Sequence, residues 1–439
     1  MKHRASADRE VHNDVPVKPA ATVMLVRDDD TTRDIEVFML RRTFLATAAL
    51  ARAQEPFFRS PGKGTAIMAH AYYTRASGVE MRSIEQRWSK SDLIDVSFIR
   101  TSKDNGRTWS DPVTEPTGEK RAAGTWRKHQ RAGYVDPRSK RLIEFWMEAV
   151  LPTDDPLEGL RNYSIYYKID GGPTTQLIAR GGDARHPLPG LELGRNGVML
   201  GDNGSVPITA PNGDILVPVE MFPAKDGKLY NPGGGYTWSD SAVAHGRWKG
   251  ARLEWTLSNI VTGDPARTTR GMVEPTIAFL DNRRVLMIMR GSNDKNPKAP
   301  GFKWTSLSTD GGITFPEPKP WTFDDGSSFY SPSACSRLIA HSNGRLYWLG
   351  NITPENPRGN RPRYPFVFGE VDKATGLLRR STLREIDTRR TGEDEILSLS
   401  NFYAHEDRES KEIVLYMTRL FAHADGWLGD AMRYRIPVR

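Results

Sequence analysis

One short turn occurs twice, far apart in the chain, and it restricts the fold to architectures built by repeating a small unit. Residues 102–109 read Ser-Lys-Asp-Asn-Gly-Arg-Thr-Trp and residues 308–315 read Ser-Thr-Asp-Gly-Gly-Ile-Thr-Phe, both S-x-D-x-G-x-T-aromatic. In such a turn the Asp carboxylate accepts from nearby backbone N–H groups, and Gly supplies a positive φ. Worn versions follow. Residues 168–174 keep Asp170, Gly172 and Thr174, and residues 372–376 keep Asp372 and Gly376. Residues 245–248 keep only Gly246 and Trp248, and residues 425–427 (Asp-Gly-Trp) supply a sixth candidate. The four best aspartates imply a unit of roughly 60–70 residues.

A second marker has the same count. A turn leading into an apolar run recurs at 64–68, 140–146, 213–219, 284–289, 344–349 and 412–417. These runs are too short for helices and are bounded by turn residues, so they read as buried strands, each with a hairpin partner before it. No long amphipathic helical pattern competes after Ala53. The expectation is an all-β, six-bladed β-propeller with four-stranded antiparallel blades, occupying residues 54–439.

Thirty Pro and 39 Gly suit a loop-rich β protein, and the lone Cys335 excludes an internal disulfide framework or a cysteine-ligated zinc. A net charge of +8 comes without any Lys/Arg run, so an anionic glycan is a better-motivated partner than nucleic acid. No apolar stretch is long enough to span a membrane. Residues 39–53 carry Arg41-Arg42, a short apolar stretch and Ala51-Arg52-Ala53 before Gln54, the pattern of a twin-arginine export signal. Translation from Met39 implies export to the periplasm or beyond; otherwise the chain is cytoplasmic. Residues 1–38 read as a fusion-like extension. Their strand-like runs at 20–27 and 35–42 resemble the opening of Nudix hydrolases, without the acidic helix that carries Nudix chemistry.

Several strands end in large polar groups: His70, Tyr72 and Tyr73 in the first unit, then Glu148, Glu220, Arg290, Asn351 and Arg419. Such repetition points to a wet pocket at one rim. Loops rich in charge add Arg127-Lys128-His129, Arg185-His186, the run from Arg267 to Arg270 that leads into Glu274, and the Pro- and Arg-rich segment 351–363.

The turns and the count of six resemble the sialidase superfamily, where these turns are called Asp boxes. The resemblance covers most of residues 55–439 and is sharpest over 274–290. It implies that Glu274 assists a nucleophilic Tyr. It also implies that Arg290 belongs to a carboxylate-binding arginine triad, with Arg363 or Arg361 as a second member and Arg59 as the third. Arginine suits that task because its planar fork binds carboxylate bidentately and stays charged. At the nucleophile's place stands Asn401, with Tyr403 two residues on. The acid/base Asp has no counterpart beside Tyr72 and Tyr73, and Glu80, Glu85 or Asp92 in the following segment replace it. The resemblance implies a glycoside hydrolase acting on a terminal sialic or uronic acid, with no cofactor. Two alternatives stay open. One is a uronate lyase using His70 or His129 with a Tyr; the other is a non-catalytic glycan-binding propeller. Asp202-Asn203 and Asp324-Asp325 match no metal-ligand loop, so no metal is assigned.

Overall fold

The computed structural model describes residues 24–28, 35–39, 52–423 and 426–438. The chain divides into two units, one ending at Ala48 and one running from Ala49 to Arg439. In the first, Met24–Asp28 pairs antiparallel with Ile35–Met39. Residues 40–51, the bulk of the export-signal reading, lie outside the described residues.

The second unit is a ring of six small antiparallel sheets, a six-bladed β-propeller. From the inside out, blade 1 holds Thr65–Tyr73, Met81–Trp88, Val96–Ser102 and Val113–Pro116. Blade 4 holds Val273–Phe279, Val285–Arg290, Lys303–Ser308 and Lys319–Pro320. Blade 5 holds Arg337–Ala340, Leu346–Asn351, Phe366–Val371 and Arg384–Asp387. Blades 2 and 3 have interrupted inner edges: Gly124–Gln130 and Tyr134–Val135 both pair with Leu142–Leu151, and Val198–Leu200 and Ile208–Thr209 both pair with Ile215–Met221. Blade 6 takes Ser398–Glu406, Ile413–Leu420 and Ala431–Ile436 from the C-terminal end, and its outer strand, Arg52–Phe58, from the start of the unit.

Five of the six apolar runs form the second strand of a blade; the first, at 64–68, falls on blade 1's inner strand. These strands are near-continuously apolar because a blade is covered on both faces by its neighbours. Ile215, Val217 and Val219 pack towards blade 2, while Leu216 packs towards blade 4.

Four of the Asp-Gly turns join a third strand to a fourth, after Ser102, Ile169, Ser308 and Val371. In the best-formed pair, Asp310 Oδ1 accepts from the N–H of Ile313 at 3.1 Å and of Thr314 at 2.9 Å. Ser308 Oγ accepts from the Gly312 N–H at 2.9 Å, and Asp104 repeats the pattern with Thr108 and Ser102. Two of the weaker candidates fall elsewhere. Residues 245–248 lie inside blade 3's third strand, Asp240–Lys249, whose own turn is at Gly250. Gly426 and Trp427 lie between the second and third strands of blade 6.

Candidate active site

Second strands run from the Asp-Gly-turn face towards the opposite mouth of the ring, and their last residues deliver the side chains of the site. Glu220 is next to last in Ile215–Met221, Arg290 ends Val285–Arg290, and Asn351 ends Leu346–Asn351. Inner strands begin at that mouth, and two of them are bulged there. Glu274 has φ 48° where the register shifts between Val273 and Thr276, and Asn401 has φ 57° where it shifts between Ser400 and Tyr403. Positive φ at non-glycine residues is costly and is tolerated where the surroundings fix it. Here each bulge puts one polar residue on the wall of the mouth. Gly201 allows the blade 3 loop to pack directly on this point; a Cβ there would sit 3.0 Å from Glu274 Cα. That approach places Asp202 beside Glu274.

The mouth has two lobes that share Trp88, Asp92, Tyr236, Arg270, Glu274 and Asn401. One lobe, of about 790 Å³, adds Asp202, Glu220, His129, Arg131 and an apolar side formed by Leu157, Leu160, Tyr163, Met199 and Phe222. The other, of about 1200 Å³, adds Arg290, Arg361, Arg363, Asn360, Phe421 and Trp427.

Three buried guanidiniums dominate the second lobe. Arg290 is fully engaged: Nη1 donates to Glu274 Oε1 at 2.8 Å, Nε to Ser333 Oγ at 2.8 Å, and Nη2 to Asn360 Oδ1 at 3.2 Å. Arg363 donates through Nη2 to the Ser333 carbonyl at 2.9 Å, so Ser333 spaces the two arginines. Arg270 donates through Nη2 to Thr237 Oγ1 at 2.6 Å. The Nε of Arg270 and that of Arg363 have no partner. Burial and the neighbouring Arg290 charge lower both pKa values to about 10, so both still carry charge at neutral pH. Behind them, burial and Arg290 push Lys303 down to about 7, and its Nζ donates to the Ala334 carbonyl.

The carboxylates are driven apart. Burial would raise the Glu274 pKa, but Arg290, with Arg363 and Arg270 behind it, holds it below the ordinary value. Burial and the Glu274 charge raise Glu220 to about 7. The same two causes raise Asp202, whose Oδ2 accepts from Asn401 Nδ2 at 2.9 Å. The site therefore holds an ionised Glu274 next to carboxyl groups inclined to keep their protons.

Of the residues singled out from the sequence, Glu274, Arg290, Arg363, Arg361, Arg270, His129, Glu220, Asn401 and the acid/base candidate Asp92 line this mouth. Asn351 supports it from behind: its Nδ2 donates to the carbonyls of Arg363, Pro365 and Leu399. The others lie elsewhere. Arg59 is 77% exposed and pairs with Asp430, because the segment carrying it follows the outer strand of blade 6. Arg270, from the loop entering blade 4's inner strand, is the third arginine instead. Tyr403 lies within the inner strand of blade 6, buried against His70 at 5.9 Å between ring centroids. Glu85 is buried inside blade 1 in an ion pair with Arg100, and Glu80 pairs with Arg75 in the hairpin after Tyr73. Tyr72 donates to Glu144 and Tyr73 to Asn105 of the Asp-Gly turn, at the far end of their strand. Arg185 and His186 are exposed and pair with Glu192 and Asp183; Arg419 pairs with Asp387 and Glu393 beside a separate groove. Sequence reasoning did not assign Asp202, Trp88 or Tyr236 to the site, and it named Glu220 only as one polar strand end among several. The one signal available was the position of Glu220 at the close of an apolar run.

No family model matches the chain, and no protein of curated function matches it. Solved structures share the fold. A protein of unknown function from Dyadobacter fermentans superposes with a TM-score of 0.57 at 13% identity, covering 89% of this chain and 100% of its own. The NanB sialidase of Streptococcus pneumoniae gives 0.57 at 12% identity, covering 92% of this chain and 74% of its own. The GH93 α-L-arabinofuranosidase of Fusarium graminearum gives 0.51 at 14% identity, covering 88% and 98%.

Proposed function

We propose that the chain is a glycoside hydrolase that cleaves a glycan next to an anionic sugar, a uronic or sialic acid. The observation that supports this best is the pairing in one mouth of Glu274, held below the ordinary carboxylate range by Arg290, with Glu220, raised to about 7 by burial and the Glu274 charge, flanked by Arg270 and Arg363. Two carboxyl groups with opposed protonation states are what glycoside cleavage needs. Glu220 gives its proton to the glycosidic oxygen as the C–O bond breaks, and the leaving sugar departs as an alcohol. Glu274, held as the anion by Arg290, attacks or activates water at the anomeric carbon, and water supplies the hydroxyl of the product. The guanidiniums of Arg270 and Arg363, both on the wall of the mouth, receive the sugar carboxylate. Trp88, Tyr236 and Trp427 offer apolar faces for sugar rings.

This reading replaces Tyr403 with Glu274, since Tyr403 is packed beneath the mouth. Among proteins of this fold, one neighbour is a sialidase and another an arabinofuranosidase. A lyase reading has one observation in its favour. His129 lies in the mouth with Nε2 3.1 Å from Tyr163 Oη, and burial lowers its pKa to about 3, leaving it neutral as a base must be.

The test is a panel of sialosides and uronate oligosaccharides, read by reducing-end release and by ultraviolet absorbance of unsaturated uronate. Hydrolysis without new absorbance is expected, with kcat reduced by about a thousandfold or more in Glu274→Gln. Full activity in that variant overturns the assignment, and absorbance that depends on His129 favours the lyase.

A further inference from the structure

The two lobes of the mouth differ in chemistry, and Glu274 stands where they meet. Arg290, Arg361 and Arg363 line one lobe but not the other, Glu220 lines the other but not the first, and Glu274 lines both. The lobe with Glu220 also carries the apolar wall of Leu157, Leu160, Tyr163, Met199 and Phe222.

Three pieces of chain build that wall. Met199 belongs to the inner strand of blade 3, and Phe222 follows that blade's second strand. The rest comes from an insertion in blade 2. There the second strand, Leu142–Leu151, is joined to the third, Ser164–Ile169, by a short helical segment in which Pro156–Glu158 continues into Gly159–Asn162. The insertion is held from within. Asp155 Oδ1 accepts from the Leu157 N–H at 2.9 Å, and the Glu158 carboxylate accepts from the Thr153 N–H at 2.9 Å and from its hydroxyl at 2.8 Å. It is also tied to blade 3: the Gly197 N–H donates to the Leu160 carbonyl at 2.8 Å, and the Val198 N–H to the Tyr163 carbonyl at 3.0 Å. Leu157 is thereby fixed with 38% of its surface open to water, and Tyr236, in the same lobe, is 57% exposed. A lone exposed Leu needs no explanation. A concave group of apolar side chains beside a few polar ones is what the apolar part of a ligand fills.

In glycoside cleavage the proton donor serves the departing oxygen, so the leaving group lies on the Glu220 side of the scissile bond. The guanidiniums hold the anionic sugar on the other side. A second sugar in the Glu220 lobe would set its hydroxyls against a wall that cannot pair with them. The rings of Tyr163, Phe222 and Tyr236 and the Met199 thioether suit an aromatic guest instead. Resting on the hydrolase reading above, we propose that the leaving group is an apolar aglycone bearing an aromatic ring, selected by Leu157, Leu160 and Phe222.

The full chain is given benzyl glycosides and disaccharides of glucuronic acid and of sialic acid. Benzyl alcohol and a sugar hydroxyl are leaving groups of comparable basicity, so a difference between them reports binding. The benzyl glycoside of the accepted acid is expected to show a KM about tenfold or more below that of its disaccharide, and a Kd lower by the same ratio in calorimetry with Glu274→Gln. Leu157→Asp, a change at a partly exposed position, is expected to narrow the ratio to about twofold or less. A wild-type ratio near one, or a preference for the disaccharide, overturns the aromatic leaving group while hydrolysis itself stands. Tighter binding of the benzyl glycoside with no turnover in the wild type supports the apolar site and overturns the hydrolase reading instead. Neither binding nor turnover of any of the four overturns both, and an unchanged ratio in Leu157→Asp overturns selection by the insertion.

Discussion

Glu220 is the residue on which the pH behaviour turns. Its pKa rises from an ordinary 4.5 to about 7 because it is buried and faces the Glu274 charge. As a proton donor it is competent below about pH 7, while Glu274, held below the ordinary value, is ionised down to the acid side. The kcat/KM profile is therefore expected to fall as pH rises through about 7, and Glu220→Gln is expected to remove that limb along with most activity. Stability runs with the same sign. A raised carboxyl pKa means the fold binds a proton that the unfolded chain releases between about 4.5 and 7, so its contribution is complete below that window and lost above it. Glu220→Gln should melt with the wild type at pH 4.5 and above it at pH 8; a variant that melts lower at pH 8 contradicts the assigned burial and charge. Little of this was legible in the sequence. Glu274 and Arg290 face each other across one hairpin, and the resemblance that singled them out lies within that one short segment. Asp202, Glu220 and Arg270 reach Glu274 from other blades or loops, and a linear pattern carries no record of which strand ends meet.

At the scale of the element, the Asp-Gly turn was the most readable feature because the hydrogen bonds that its Asp and Ser side chains collect are local. Asp310 accepts from residues three and four positions on, and Gly311 and Gly312 take φ 86° and 89°. Nothing beyond eight residues is needed to specify it. Burial alone would raise the Asp310 pKa, yet hydrogen bonds from Thr314, Ser308 and Ile313 hold it at about 2, against an ordinary 3.8. A lowered carboxyl pKa stabilises the fold above the ordinary value, and the contribution drains away as pH falls through about 2. Asp310→Asn is expected to lower Tm at pH 7, with the gap to wild type closing towards pH 2. A gap that stays constant with pH would place the loss in shape rather than charge. The weaker copies failed for the same physical reason that the good ones succeeded. Gly246 and Trp248 keep two letters of the motif but no carboxylate to collect the backbone N–H groups, and the chain there continues as strand.

The whole molecule depends on how the ring closes. Blade 6 borrows its outer strand, Arg52–Phe58, from the beginning of the propeller unit, pairing it with Ala431–Ile436. The seam is stitched by side chains as well as backbone. Phe57 packs on Tyr416 of blade 6 at 4.6 Å and on Trp109 of blade 1 at 5.4 Å, and Arg100 of blade 1 lies over both Phe57 and Phe58. Gln54 Nε2 donates to Tyr434 Oη at 2.8 Å, and Arg433 pairs with Glu55. The count of six blades was legible from repetition, but the seam was not: nothing in residues 52–58 repeats, and their partner is the far end of the chain. A closed ring leaves no long unpaired edge, whereas one missing strand exposes the third strand of blade 6 to pairing with other chains. Removing residues 1–51 is accordingly expected to leave Tm unchanged, while removing residues 1–58 lowers it sharply and promotes aggregation, both read by calorimetry and light scattering. Phe57→Ala, which deletes the ring shared by two blades but keeps the backbone pairing, should cost about 2–3 kcal/mol in denaturant unfolding because the side chain is only half-buried. If the shorter truncation were as damaging as the longer, the seam would have to extend upstream of Arg52. If neither mattered, three strands would suffice for blade 6, and the ring would owe its closure to the inner-strand contacts between blades 6 and 1.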